Sequence, residues 1–358
     1  MRIAIFHDYF RFIGGGEKLA LTLARDLKAD IITTDVDRSL ISKMGFEDVK
    51  IVSLGPLVRV EPLRQVHATY KFSTCDFRGM YGFYIFSGNW AHYASRRHHP
   101  NLYYNHGYAR VFYDLKEETL RSLGNPLARL AARLWIALHS RLDKRSIARV
   151  DRVVSNSEFT ARRFKKYLGR DSSVIYPPID TAKFHWMGDD GYWLSVNRLF
   201  PEKRIELQLE AFSRMPGERL IIVGGSDKGE YSGSYARRIM GMKPPNVTII
   251  GGLPEEELIV HYGRCRGLVA TSRDEPFGMN AIEAMASGKP VVAVKEGGYT
   301  ETVIDQKMGA LVDASPDGIV KGVESVAGAA AYKEARVEQA KKFDTSVFLA
   351  RMKEQIMR

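Results

Sequence analysis

The sequence predicts an α/β protein of two Rossmann-like domains with a cleft between them, each domain a doubly wound parallel sheet. Three observations lead there. Short β-branched runs alternate with amphipathic helical stretches along the chain, the order that places helices over a parallel sheet. That alternation starts afresh once, after a Pro-Pro step and a turn-rich stretch. The chain also has 358 residues, beyond the length of about 250–300 residues at which a single core usually stops growing.

In the first series, Ile3–Phe6 reads as a buried strand, Gly14-Gly15-Gly16 as a loop, Glu17–Leu27 as an amphipathic helix and Ile31–Thr34 as the next strand, together a βαβ unit. Further strands are expected at Gly82–Phe86, Leu102–Asn105, Arg152–Ser155 and Ser173–Tyr176, with a helix across 125–148. Pro177-Pro178 and the Gly188–Gly191 stretch then punctuate the chain. The expected domains are 1–183 and 184–344, with a C-terminal helix over about 345–358 completing the first. The second series has strands at Tyr192–Val196, Leu220–Val223, Val247–Ile250, Gly267–Ala270 and Val291–Val294. Ligands of such sheets bind beyond the carboxyl ends of the strands, so the loops there are the candidate site.

Composition narrows the function. A hydrophobic fraction of 45% and a charged fraction of 27% are those of globular proteins and argue against disorder. Cys75 and Cys265 stand far apart without Cys-x-x-Cys spacing, so neither a disulfide framework nor a zinc site is expected, and a reducing cytosolic compartment fits. The N-terminus runs into a strand without a leader pattern, and no run of about 18 apolar residues occurs. The net charge of +11 is unevenly placed: residues 1–180 hold 29 Lys/Arg against 18 Asp/Glu, whereas residues 181–358 hold 24 of each. An anionic partner of the first half is expected, either a phosphorylated acceptor, an acidic membrane surface or nucleic acid. No nucleic-acid motif accompanies the charge, which leaves that last class least supported.

Several glycines stand where strands give way to loops: Gly224-Gly225 after Val223 and Gly297-Gly298 after Val294. Singly these are weak signals, since a tight turn also asks for glycine. Gly14-Gly15-Gly16 before a helix is better placed for phosphate, but it lacks the spacing of a dinucleotide or NTPase loop. The segment Thr271–Pro290 is more specific. Glu275 precedes Pro276, a helix is expected from about Phe277 to Ala286 with Gly288 ending it, and Glu283 falls inside that helix. Two carboxylates and the amides of Phe277, Gly278 and Met279 thus meet at a strand's carboxyl end.

This arrangement resembles the Glu-x7-Glu motif of family-four retaining glycosyltransferases of the GT-B fold, and the following Ala284–Ala293 stretch strengthens the likeness. Ser195–Leu207 looks like that family's diphosphate-binding segment, and the narrower similarity is to mannosyltransferase-like proteins of polysaccharide and O-antigen assembly. The resemblance implies a hexose transfer, with mannose from GDP-mannose the foremost donor, metal-independent and with retention by a front-face mechanism. It implies Arg198 and Lys203 on the donor diphosphate, Glu283 on the ribose hydroxyls and Glu275 beside the transferred sugar. It also implies His106 contacting that sugar, although Gly107-Tyr108 replaces the family's usual Thr-Pro, and Gly15 and Gly16 near the diphosphate and acceptor. An Arg and a Lys suit a leaving diphosphate, and a carboxylate suits two vicinal hydroxyls. No cofactor beyond the nucleotide sugar is expected. The other enzyme reading is a GT-B-fold nucleotide-sugar epimerase or hydrolase.

The stretch Leu127–Arg145 joins a broad apolar face to five Lys/Arg and one Asp. Two readings are open: an interfacial helix on an anionic leaflet, where a lipid-pyrophosphate-linked glycan would be found, or a core-facing helix with solvated basic residues.

Overall fold

The computed structural model describes residues 1–12, 14–224, 230–326 and 329–358. The chain divides into two compact units, Met1–Tyr176 with Leu349–Arg358, and Pro177–Phe348. Lys183, expected in the first domain, lies in the second unit, where the neighbouring Ile179 N–H donates to the Phe343 carbonyl at 3.0 Å.

Among the described residues the first unit carries seven parallel strands: β1 (Ile3–His7), β2 (Asp30–Thr33), β3 (Ile51–Ser53), β4 (Phe83–Ser87), β5 (Asn101–Asn105), β6 (Arg152–Ser155) and β7 (Ser173–Val174). Their order in the sheet is β3-β2-β1-β4-β5-β6-β7. The chain therefore reverses direction across the sheet between β1 and β4, which pair from Ile3 opposite Phe83 to His7 opposite Ser87. β1, β4 and β5 are buried at every position, as expected for parallel strands covered on both faces. Phe6, Phe72, Tyr84, Phe86, Tyr103 and Phe164 fill one core face.

Helix α1 (Gly15–Leu27) follows β1, with Gly14 as its extended N-cap and Leu19, Leu21 and Leu23 buried. Helix α2 (Pro126–Ile147) starts with the Asn125 side chain accepting the Leu127 N–H at 2.8 Å and with proline in the first turn, where its missing N–H costs nothing. Its buried face consists of Ile136, His139, Asp143, Ser146 and Ile147. Leu127, Leu130, Leu134 and Leu138 point outward, 55–78% exposed. The apolar stripe of this helix is therefore not its core face.

Among the described residues the second unit has six parallel strands: β8 (Tyr192–Val196), β9 (Arg219–Val223), β10 (Val247–Ile250), β11 (Gly267–Ala270), β12 (Val291–Val294) and β13 (Gly309–Val312). They lie in the order β10-β9-β8-β11-β12-β13, with the reversal between β8 and β11. Trp193, Leu209, Phe212, Leu220, Ile222, Val269 and Val292 belong to one core. Helix α3 (Met279–Ala286) joins β11 to β12 and begins at Met279, not at the expected Phe277. Gly278, its N-cap, takes φ +89, so the backbone at Phe277 belongs to the loop.

The edge strands β3 and β13 were not expected from sequence, because short edge strands lack a continuous buried run. The strand at Ser173 ends at Val174 instead of Tyr176, since Tyr104 on β5 donates its hydroxyl to the Ile175 carbonyl beyond it at 2.8 Å. Gly225, singled out with Gly224, lies outside the described residues.

Candidate active site

In the second unit the candidate residues gather at the sheet reversal, on the loops that follow β8 and β11. Pro201–Lys203 forms a single 3₁₀ turn, and Arg204 then takes the left-handed conformation, φ +49, before the helix Ile205–Ser213. This loop is laced to the β11 loop: the Thr271 hydroxyl donates to the Lys203 carbonyl at 2.7 Å, and the Arg273 N–H donates to the Glu202 carbonyl at 2.7 Å. The lacing brings Lys203 Nζ to 2.5 Å from Glu275 Oε2. Arg198 lies earlier on the loop, exposed, its guanidinium 5.2 Å from the Phe200 ring centroid. Arg204 pairs with Glu296 through both carboxylate oxygens.

Burial alone would push the Glu275 carboxyl up. The Lys203 charge and its hydrogen bond outweigh it, with smaller contributions from the nearby Ser272 hydroxyl and Arg198, and hold the group below its ordinary value. Glu275 is thus an ionised carboxylate held by a cation.

Three glycines shape the turn that presents it. A Cβ at Gly278 would stand 2.5 Å from the Tyr299 ring, one at Gly297 2.4 Å from the Glu275 carbonyl oxygen, and one at Gly298 2.4 Å from Phe277 Cα. Gly298 N–H also donates to the Glu275 carbonyl at 2.8 Å. The glycines after β12 therefore act by letting two backbones touch. Phe277 turns its side chain into the core, 5.4 Å from the Phe343 ring. Glu283, half-buried on α3, accepts the Tyr262 hydroxyl at 2.6 Å. Burial, and then the Glu283 charge, push the Tyr262 phenol well above its ordinary value, so it remains a donor.

In the first unit the reversal between β1 and β4 carries a second constellation. Gly15 and Gly16 open α1, and a Cβ at Gly16 would lie 3.8 Å from His106 Cε1. His106 follows β5; its carbonyl accepts Asn156 Nδ2 at 3.0 Å and its Nε2 lies 2.8 Å from Ser87 Oγ. Burial, and then the charge of His7, pull its imidazole down to about 3, so it is neutral at physiological pH. Asp8 is buried at the same strand end and accepts N–H groups from Asn89, Trp90 and Ala91 at 2.6–2.8 Å. A Cβ at Gly88 would stand 2.5 Å from that carboxylate.

His7, Glu17, Ser87, Tyr262 and Arg204, none of them singled out from the sequence, touch a candidate residue or its neighbours. Ser87 and Tyr262 carry no local signal, whereas His7 at a strand's carboxyl end and Glu17 three residues after an N-cap glycine carry one. Among the described residues no cluster of three or more His, Cys, Asp or Glu is placed to hold a metal ion, and no helix is long and apolar enough to cross a membrane.

Comparison with known proteins gives the site its context. A family model for glycosyltransferase family 4 matches residues 13–183, and one for glycosyl transferases group 1 matches residues 179–343. The alpha-1,3/1,6-mannosyltransferase ALG2 of Candida glabrata is 30% identical over 205 residues, which are 43% of this chain and 44% of that protein. A GDP-mannose-dependent alpha-(1-6)-phosphatidylinositol monomannoside mannosyltransferase of Mycolicibacterium smegmatis is 30% identical over 192 residues, 46% of this chain and 50% of that one. The chain thus spans about half the length of the curated relatives it matches. Among solved structures, the sucrose-phosphate synthase of Thermosynechococcus elongatus has a TM-score of 0.76 at 20% identity, covering 99% of this chain and 98% of that one. Anabaena HepE in complex with UDP and glucose has 0.74 at 18%, covering 99% of each. With two successive family models spanning residues 13–343 and two Rossmann-like units of the GT-B class, the chain belongs to the family-four glycosyltransferases.

Proposed function

We propose that the protein transfers a mannosyl residue from GDP-mannose to a hydroxyl group of a glycan or lipid-linked acceptor. The observation that carries the reading is the ion pair of Lys203 with Glu275 at the head of the helix that bears Glu283. Lys203 and Arg198 take the donor diphosphate, and their charge stabilises the leaving group without calling on a metal ion. Glu283, oriented by Tyr262, accepts the ribose hydroxyls. Glu275 and the backbone amides at Phe277, Gly278 and Met279 face the sugar. Gly15 and Gly16 leave room for the diphosphate and acceptor, and His106 contacts the transferred sugar.

Transfer proceeds on one face of the sugar. The bond from the anomeric carbon to the β-phosphate oxygen breaks, the bond to the acceptor oxygen forms on the same side, and the acceptor's proton passes to the departing phosphate. Configuration is retained. Glu275 supports the developing positive charge at the sugar and forms no covalent bond.

Mannose and GDP are favoured by the names of the relatives in Candida and Mycolicibacterium, whereas HepE was crystallised with UDP and glucose. A thermal-shift screen of GDP-, UDP- and ADP-sugars separates these, because a ligand of the folded state raises its apparent stability. GDP-mannose is expected to give the largest shift, and Glu283→Ala to abolish it. GDP release should depend on added acceptor and persist in EDTA. Turnover of GDP-mannose with no acceptor would instead assign an epimerase or hydrolase.

The first unit is proposed to rest on an anionic leaflet through α2. Its outward leucines are flanked by exposed Arg133, Arg141, Lys144 and Arg145, and each basic residue near such a surface contributes about 1 kcal/mol. Co-sedimentation with phosphatidylserine vesicles at low salt is expected to fall sharply in Leu130→Ser/Leu134→Ser. Equal binding to neutral vesicles would sink the electrostatic part.

A further inference from the structure

At the carboxyl ends of β1, β4 and β5 a polar chain runs through the first unit. Glu17 Oε1 lies 4.0 Å from His7 Nε2, His7 Nδ1 lies 3.2 Å from Ser87 Oγ, and Ser87 Oγ lies 2.8 Å from His106 Nε2. His7, Glu17 and Ser87 are 4%, 7% and 1% exposed, so water does not substitute for these partners. We propose that Glu17, acting through His7 and Ser87, fixes neutral His106 as its Nε2–H tautomer, which leaves Nδ1 as a hydrogen-bond acceptor for a sugar hydroxyl.

The direction follows from counting protons. A carboxylate facing His7 Nε2 favours the proton there. When His7 carries a single proton, that proton sits on Nε2 and the other nitrogen is bare, so His7 Nδ1 accepts. Ser87 has one proton and gives it to His7. Its oxygen can then only accept from His106, whose Nε2 must carry the hydrogen. The ring edge of His106 that carries Nδ1 borders the glycine loop: a Cβ at Gly16 would stand 3.8–4.0 Å from Cε1, Nδ1 and Nε2. Gly16 carries no side chain to occupy that space. Glu17, His7 and Ser87 are positioning residues in this scheme, and the sugar contact of His106 rests on the function proposed above.

The test reads the tautomer directly, without substrate. Two-bond ¹⁵N–¹H correlations on ¹⁵N-histidine-labelled protein at pH 9, far above the free-imidazole value of about 6.5, should show His106 as a single Nε2–H tautomer. Glu17→Gln, which keeps the side chain's shape, and Ser87→Ala should each move it toward a mixture, while Ser87→Thr should restore the wild-type pattern. With acceptor present, kcat should fall about tenfold in the first two variants, with the KM for GDP-mannose little changed, as expected for a group acting in the transition state. An Nδ1–H tautomer in the wild type, or an unchanged tautomer in both variants, would overturn the proposal. Full turnover by His106→Ala would overturn the sugar contact alone, leaving the tautomer result to stand or fall by its own spectrum.

Discussion

Lys203 and Glu275, 72 residues apart in the chain, meet with Nζ 2.5 Å from Oε2, their side chains 23% and 20% exposed. The lysine keeps the carboxylate ionised against its burial. In Lys203→Met that burial is opposed by less, and the Glu275 carboxyl rises. Because its folded value is depressed in the wild type, the group contributes stability above the ordinary carboxylate value of about 4.3, and that contribution is lost as pH falls through the lower folded value. The deficit of the variant relative to the wild type, followed by thermal unfolding between pH 4 and 7, should therefore be largest near pH 7 and shrink as the pH falls toward 4. Turnover should drop roughly 10²–10³-fold.

Gly278 holds the turn into α3 at φ +89 with the Tyr299 ring against it. Gly278→Ala must both strain the backbone and displace a buried ring, at a cost of about 1–3 kcal/mol for the backbone alone. Calorimetry should place its unfolding several degrees lower, with donor-induced stabilisation lost. Gly217→Ala, where a Cβ meets nothing within 4 Å, should stay within about 0.5 kcal/mol of wild type.

Tyr262→Phe removes the hydroxyl that donates to Glu283. Losing one hydrogen bond to a charged group costs about 1.5–3 kcal/mol, part of it in folding. The KM for the nucleotide sugar should rise roughly tenfold with kcat nearly unchanged, since ribose binding is equally present in ground and transition states. A fall in kcat at constant KM would contradict the ribose assignment.

The His106 imidazole, pulled to about 3 by burial and then by the charge of His7, should not titrate in NMR spectra above pH 5. The sign is that of a base buried neutral. Its contribution to stability is complete above the free value of about 6.5 and is lost as pH falls from there toward the folded value, because only the unfolded chain takes up the proton. His106→Gln should therefore flatten the pH dependence of stability between 6.5 and 4.

Much of this was legible along the chain. Alternating β-branched runs and amphipathic stretches encode two parallel sheets, because a strand covered on both faces is apolar along nearly all its length, as Phe83–Phe86 and Val291–Val294 are. The carboxylates Glu275 and Glu283 and the end of α3 at Gly288 were readable from local turn and helix chemistry. Edge strands such as Gly309–Val312 were not, since half-covered edges lack that pattern.

Sequence alone thus determined the two sheets, the place of the Glu275–Glu283 motif and the basic bias of the first half. Tertiary structure alone decided which partner each charge meets: Lys203 with Glu275, Tyr262 with Glu283, and His106 with Ser87 and through it His7. It also decided that the leucines of α2 face outward. The reason is physical. Propensity and periodicity act over a few residues, whereas these contacts arise where the sheet order reverses and brings together the ends of strands far apart in the chain.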